Sequence, residues 1–190
     1  MVSGIVMHRT EIEIKLRIED PARLIASVEK AGARLVRPRE FEDNRLYDFP
    51  EQDLMRRQAM LRVRSLPGWA LLTYKDSPRV EEGAKVRDEI EVKCDADRPL
   101  AAILQRIGMV PQFRYQKYRT TWSHGDLTIT LDETPIGTFA ELEGPKPAID
   151  EMASELGFRQ SDYIIGSYRE LFYQSLPPDD RGEASMIFPP

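Results

Sequence analysis

Charged and apolar residues alternate without a break from Glu11 to Ile18. Glu11, Glu13, Lys15 and Arg17 fall on one face; Ile12, Ile14, Leu16 and Ile18 fall on the other. A period of two is that of a strand. The same alternation recurs at 85–93, where Lys85, Arg87, Glu89 and Glu91 oppose Val86, Ile90 and Val92. Further strands are predicted over 34–49, 60–65, 69–75, 112–123, 126–133 and 138–143. Leu66-Pro67-Gly68 and His124-Gly125-Asp126 serve as hairpin turns.

Helical periodicity appears between these strands. Asp20-Pro21 reads as an N-cap followed by proline at the first helical position, and Gly32 marks the stop. Leu24, Ile25 and Val28 form its apolar stripe. A second helix begins near Asp97 and Pro99, carries Leu100, Ile103, Leu104 and Ile107, and stops at Gly108. A third spans 149–156 and a fourth lies near 168–172, giving eight strands and about four helices. Strand, helix, glycine and long strand recur in the same order from Glu11 and from Glu89, a faint internal repeat.

The stripes of the helices decide which way the strands face. With the charged faces in water, the helices have no apolar surface to cover. With the charged faces turned into a closed barrel, the apolar faces point outward and the helices cover them. The expected fold is therefore α+β, a closed eight-stranded antiparallel barrel with a charged interior and helices packed outside. Such a barrel holds side chains or one small ligand.

The interior then carries acids at Glu11, Glu13, Glu89, Glu91, Asp132, Glu141 and Glu143. Its bases are Lys15, Arg62, Arg64, Lys75, Lys85, Arg87, Lys117 and Arg119. Buried charge is costly unless it is paired or holds ions. A polyanion with a divalent metal fits both signs: arginine forks match phosphate oxygens, and clustered carboxylates suit Mg²⁺ or Mn²⁺.

Composition narrows the partners. The 190 residues carry a net charge of −5, which argues against indiscriminate binding to nucleic acid or acidic membranes. One cysteine, Cys94, and two histidines, His8 and His124, give no disulfide and little basis for a zinc site. The apolar run at the start is too short for a signal peptide and no later segment is long enough to span a bilayer, so a cytoplasmic protein is expected. Residues 1–174 read as one domain, as monomer or homodimer, and 175–190 as a loose C-terminal tail.

In order along the chain, Glu11-x-Glu13-x-Lys15, Arg62-Val63-Arg64, Lys75 after Leu72-Thr73-Tyr74, Glu89-x-Glu91, Lys117-Tyr118-Arg119, Asp132 and Glu141-Leu142-Glu143 resemble the CYTH domains. These are also called triphosphate tunnel metalloenzymes, and include class IV adenylate cyclases and thiamine triphosphatases. The resemblance covers roughly residues 9–174. It implies metal-dependent chemistry on a triphosphate. Metal ligands carry over to Glu11, Glu13, Asp132, Glu141 and Glu143. Phosphate ligands carry over to Lys15, Arg62, Arg64, Lys75, Lys117 and Arg119, with Lys85 and Arg87 as additions. Glu11, Glu13, Lys15, Lys75 and Arg119 are the catalytic set; Glu89 and Glu91 bind metal or, the favoured role, pair with neighbouring bases. The first expectation is a triphosphatase acting on tripolyphosphate or a small organic triphosphate such as thiamine triphosphate. The alternatives are a class IV adenylate cyclase using ATP, favoured by Ser167-Tyr168-Arg169-Glu170-Leu171, and a non-catalytic polyphosphate- or nucleotide-binding module. For a cyclase, Tyr47, Phe49, Trp69, Tyr74 and Phe113 are the candidates to stack a base.

Overall fold

The structure is a computed structural model that describes residues 6–177 and 185–189. Its elements run β1 (Val6–Ile18), α1 (Pro21–Lys30), β2 (Arg34–Asp48), α2 (Asp53–Arg56), β3 (Met60–Leu66), β4 (Trp69–Lys75), β5 (Arg79–Glu81), β6 (Ala84–Cys94), α3 (Asp97–Arg106), β7 (Val110–His124), β8 (Leu127–Thr134), β9 (Gly137–Glu143), α4 (Lys146–Glu155) and α5 (Tyr168–Ser175). Eight antiparallel strands close a barrel in the order β1-β9-β8-β7-β2-β3-β4-β6, with β6 returning to β1. Among the described residues there are thus one strand and one helix more than expected. The added strand, β5, pairs with β6 through a short hairpin; the added helix, α2, is a single turn.

The helix signals act as predicted. The Asp20 carboxylate accepts from the Arg23 N–H at 3.0 Å, and Gly32 and Gly108 take φ of +86° and +90° past the ends of α1 and α3. Only glycine adopts such angles without strain. No helix among the described residues is long and apolar enough to cross a membrane.

Exchanging β1 with β6, β2 with β7, β3 with β8 and β4 with β9 leaves every neighbour relation of the barrel unchanged. The repeat that starts at Glu11 and Glu89 is therefore built into the topology. The two strands that begin the halves, β1 and β6, pair with each other, as do β2 and β7.

Outside the barrel, Ile14, Leu16, Leu142 and Ile129 are fully buried beneath Leu24 and Val28 of α1 and Ile149 and Met152 of α4. The opposite face is covered more thinly. Leu104 of α3 packs with Val63, Tyr47 and Leu54, but Ile103 and Ile107 are 59% and 58% exposed. The expectation that the whole α3 stripe is buried is therefore corrected: that half of the molecule lacks a counterpart of α4.

The chain end also differs from the expected loose tail. Residues 178–184 lie outside the described residues, whereas 185–189 run along β7 and bury Met186 completely.

Candidate active site

The inward faces of the strands enclose a cavity of about 940 Å³. Every expected phosphate ligand reaches it: Lys15 from β1, Arg62 and Arg64 from β3, Lys75 from β4, Lys85 and Arg87 from β6, and Lys117 and Arg119 from β7. Glu11, Glu13, Glu89, Glu91, Glu141 and Glu143 line it as well.

Register explains the convergence. Lys15 faces Glu141 and Glu13 faces Glu143 across β1 and β9; on the other side of β1, Glu13 faces Lys85 and Glu11 faces Arg87. The Lys15 ammonium lies 3.1 Å from Glu13 and 3.4 Å from Glu141. Lys85 bonds Glu13 at 2.5 Å, and Lys75 joins Glu11 and Glu89. Glu89 also pairs with Arg9, and Glu91 with Arg62, the role favoured for both from the sequence.

Burial raises the cost of every one of these charges, and the neighbours decide the outcome. Burial pushes the Glu13 carboxyl up, but Lys15 and Lys85 overcome it and hold the group well below its usual range. Glu141 is held low in the same way, against burial, by Arg119 and Lys15. Glu143 goes the other way. Burial, then the nearby Glu11 charge, lifts it to about 7 despite Arg9 at 2.8 Å.

The basic side of the cavity shows the opposite strain. Burial and the adjacent Arg62 lower the proton affinity of Arg64, and burial lowers that of Lys85 and Arg87. Two wall groups, the Arg62 Nε–H and the Thr130 hydroxyl, are buried without a hydrogen-bond partner among the described residues. Cations that repel one another and a donor without an acceptor together form a site suited to an anion with several oxygens.

Asp132, expected as a metal ligand, does not line the cavity. It is wholly buried, and its carboxylate accepts from Lys117 at 2.8 Å, from Arg119 Nε at 2.6 Å and from the Tyr168 hydroxyl at 2.7 Å. Those donors place it behind the bases it orients, outside the cavity wall. Arg87 also differs from a simple phosphate ligand: it donates to the backbone carbonyls of Gln58, at 2.7 Å, and of Asp76.

Several contributors were not identified from the sequence. Glu42 on β2 lies 3.2 Å from Arg64 and 3.7 Å from Lys117 and is held at about 2, burial being outweighed by those bases. Asn44 accepts from Arg64 at 3.1 Å. The Tyr115 hydroxyl accepts from Arg62 at 3.3 Å. A signal existed for each: Glu42 and Asn44 continue an inward period along β2, and Tyr115 shares the face of Lys117 and Arg119. Of the five aromatics considered as a base platform, Tyr47 alone lines the cavity.

The family model for the CYTH domain matches residues 9–161. The chain is a CYTH-domain protein. This CYTH protein is 28% identical over 174 residues to a Methanocaldococcus jannaschii protein named as a candidate adenylate cyclase, a match over 85% of this chain and 97% of that one. Among solved structures it is similar to the PH1819 protein of Pyrococcus horikoshii (TM-score 0.73, 27% identity, 87% of this chain and 99% of that one). It also shares its fold with a Hippeastrum candidate adenylyl cyclase described as having a dominant triphosphatase activity (TM-score 0.63, 21% identity, 90% and 99% covered).

Whether a divalent cation fits can be asked of the donors. Among the described residues no three Asp, Glu, His or Cys side chains stand close enough to form a ready-made cage. Yet the lining residues include neither His nor Cys, and Glu143 is driven toward protonation by burial and by the Glu11 charge. Carboxylate oxygens that repel one another suit a hard cation. Glu11, Glu13 and Glu143 are the lining carboxylates that could hold such a cation; Glu141, also expected as a ligand, is taken up by Arg119 and Lys15.

Proposed function

We propose that this CYTH protein is a divalent-metal-dependent hydrolase acting on tripolyphosphate or a small organic triphosphate. One observation carries the proposal: a single cavity in which Arg62, Arg64, Lys117 and Arg119 oppose the carboxylates of Glu11, Glu13 and Glu143. Phosphoryl transfer asks mainly for positioning and for neutralisation of spread negative charge. In this reading the two β3 arginines and the two β7 bases grip phosphate oxygens. Asp132 and Glu42 fix the orientation of those bases from behind. Lys15, held between Glu13 and Glu141, sets a positive charge where the acidic and basic sides meet. Glu11, Glu13 and Glu143 are the residues that would hold a divalent cation, which would supply charge neutralisation and activation of water. With no His or Cys in the wall, direct attack fits the site better than a covalent enzyme intermediate.

The second reading is cyclisation of ATP, in which the ribose hydroxyl takes the place of water and pyrophosphate leaves. It is favoured by the name of the Methanocaldococcus relative and by a cavity of about 940 Å³, which leaves room beyond a triphosphate. Product analysis separates the two. The protein is incubated with tripolyphosphate, thiamine triphosphate or ATP, each with and without Mg²⁺ or Mn²⁺. Release of orthophosphate that requires the cation supports the hydrolase; cyclic AMP with pyrophosphate supports the cyclase. Absence of any product from all three substrates contradicts both.

A further inference from the structure

The interior of the barrel is not charged from end to end. Where β7 begins and β2 ends, Phe113, Tyr115 and Phe139 point inward and meet Tyr168 and Phe172 of α5. This aromatic stopper touches the site through two phenols: Tyr115 accepts from Arg62, and Tyr168 donates to Asp132. Asp132 in turn fixes Lys117 and Arg119. The Lys15 and Lys117 ammonium groups also sit 5.5 and 5.0 Å from the Tyr168 ring. Four of the cavity's cations, Lys15, Arg62, Lys117 and Arg119, therefore contact the two tyrosines directly or through Asp132.

The stopper is completed by the far end of the chain. Strand β7 has 15 residues and β8 only eight, so the edge of β7 from Arg114 to Gln116 extends beyond its β8 partner, whose pairing reaches no further than Tyr118. Residues 185–189 take that edge. Met186 N–H donates to the Arg114 carbonyl at 2.9 Å, and the Gln116 N–H donates to the Met186 carbonyl at 2.8 Å. Phe188 N–H donates to the Gln116 side-chain oxygen at 3.2 Å, and its ring packs 5.4 Å from that of Tyr118. Met186, with no exposed surface, fills the space among Phe113, Tyr115, Phe139, Tyr168 and Phe172. Residues 185–189, like Tyr168 and Phe172, lie beyond the residues the family model matches.

We propose that residues 185–189 act as an intramolecular latch and that Met186 is a positioning residue for the triphosphate site, working through Tyr115 and Tyr168. The role rests on the triphosphate reading above. A thioether is well suited to fill the irregular gap between aromatic rings. Its removal leaves a cavity at the point where both phenols are held, so the loss falls on the orientation of Arg62, Lys117 and Arg119 rather than on the closed barrel.

The test is calorimetric titration of tripolyphosphate into the full chain and into variants. Met186→Ala is expected to weaken binding about ten-fold, the worth of one loosened charged hydrogen bond. Met186→Leu should recover most of that loss. In a Tyr115→Phe, Tyr168→Phe background, Met186→Ala should add no further loss. Gln116→Ala, which loosens the latch without opening the core, should weaken binding in the same direction and speed hydrogen exchange of the Met186 amide. It keeps the test available if Met186→Ala does not fold. Unchanged affinity in the folded variants, or an equal loss from Met186→Ala with and without the two phenols, overturns the latch. A native protein that does not bind tripolyphosphate overturns the triphosphate reading, and the latch role with it.

Discussion

At the scale of single residues, the same side-chain types do different work according to depth and partners. Arg119 donates to both Asp132 and Glu141 and is held strongly protonated: burial opposes its charge, but the two carboxylates outweigh it. Removing it leaves Asp132 with Lys117 and Tyr168, and Glu141 with Lys15, so the fold has replacements that the ligand lacks. Arg119→Ala is expected to cost about 1.5–3 kcal/mol of triphosphate binding or turnover. Steady-state kinetics on folded protein check it, and unchanged constants would remove Arg119 from the site. Glu143 gives a pH signature. Its folded pKa of about 7 lies above the ordinary carboxylate value, so its contribution to stability is full below pH ~4.5 and is lost as pH rises through 7. In chelator-treated protein, Glu143→Gln should therefore raise stability at pH 8 by at least on the order of 1 kcal/mol, one pKa unit's worth, with no gain at pH 4. The same variant should weaken Mg²⁺ or Mn²⁺ binding. Denaturant titrations at the two pH values decide the first point; a gain of the same size at both would mean that Glu143 is not the titrating group.

At the scale of elements, much of the arrangement was legible. The period of two in β1 and β6 gave the inward set, and the stripes of α1 and α3 gave its direction, because helices need an apolar floor. Leu24 and Val28 of α1 rest on one, whereas of the α3 stripe only Leu104 is buried. Periodicity names a face but not what covers it. It placed Ile103 and Ile107 on the stripe of α3, where no neighbouring helix meets them. Nor does it give depth along a barrel: Phe113 and Tyr115 share the face of Lys117 and Arg119 yet sit in the apolar stopper. The family resemblance likewise marked Asp132 as a metal ligand, where the structure shows its carboxylate bracing Lys117, Arg119 and Tyr168. The contrast within α3 is measurable. Leu104→Ala should cost about 2–5 kcal/mol of folding stability, as for a buried leucine, whereas Ile103→Ala should stay within about 0.5 kcal/mol. Equal costs in denaturant melts would mean that something covers Ile103 in solution.

At the scale of the whole molecule, two similar halves enclose a chamber in which each sign of charge is kept largely by the other. That network is weak ground for stability, since buried ion pairs often do no better than apolar packing. The strained members, Arg64 and Lys85 among the bases and Glu143 among the acids, mark where a phosphate chain and a hard cation would relieve repulsion. A ligand that binds only the folded state stabilises it in proportion to the logarithm of its concentration. The most direct measurement is therefore the melting temperature in tripolyphosphate, compared with orthophosphate and sodium chloride at equal ionic strength. A chamber built for a triphosphate predicts a rise that grows with tripolyphosphate concentration and is far smaller in the other two. Equal shifts in all three solutions would show that the interior charges bind no phosphate chain, and would contradict the account.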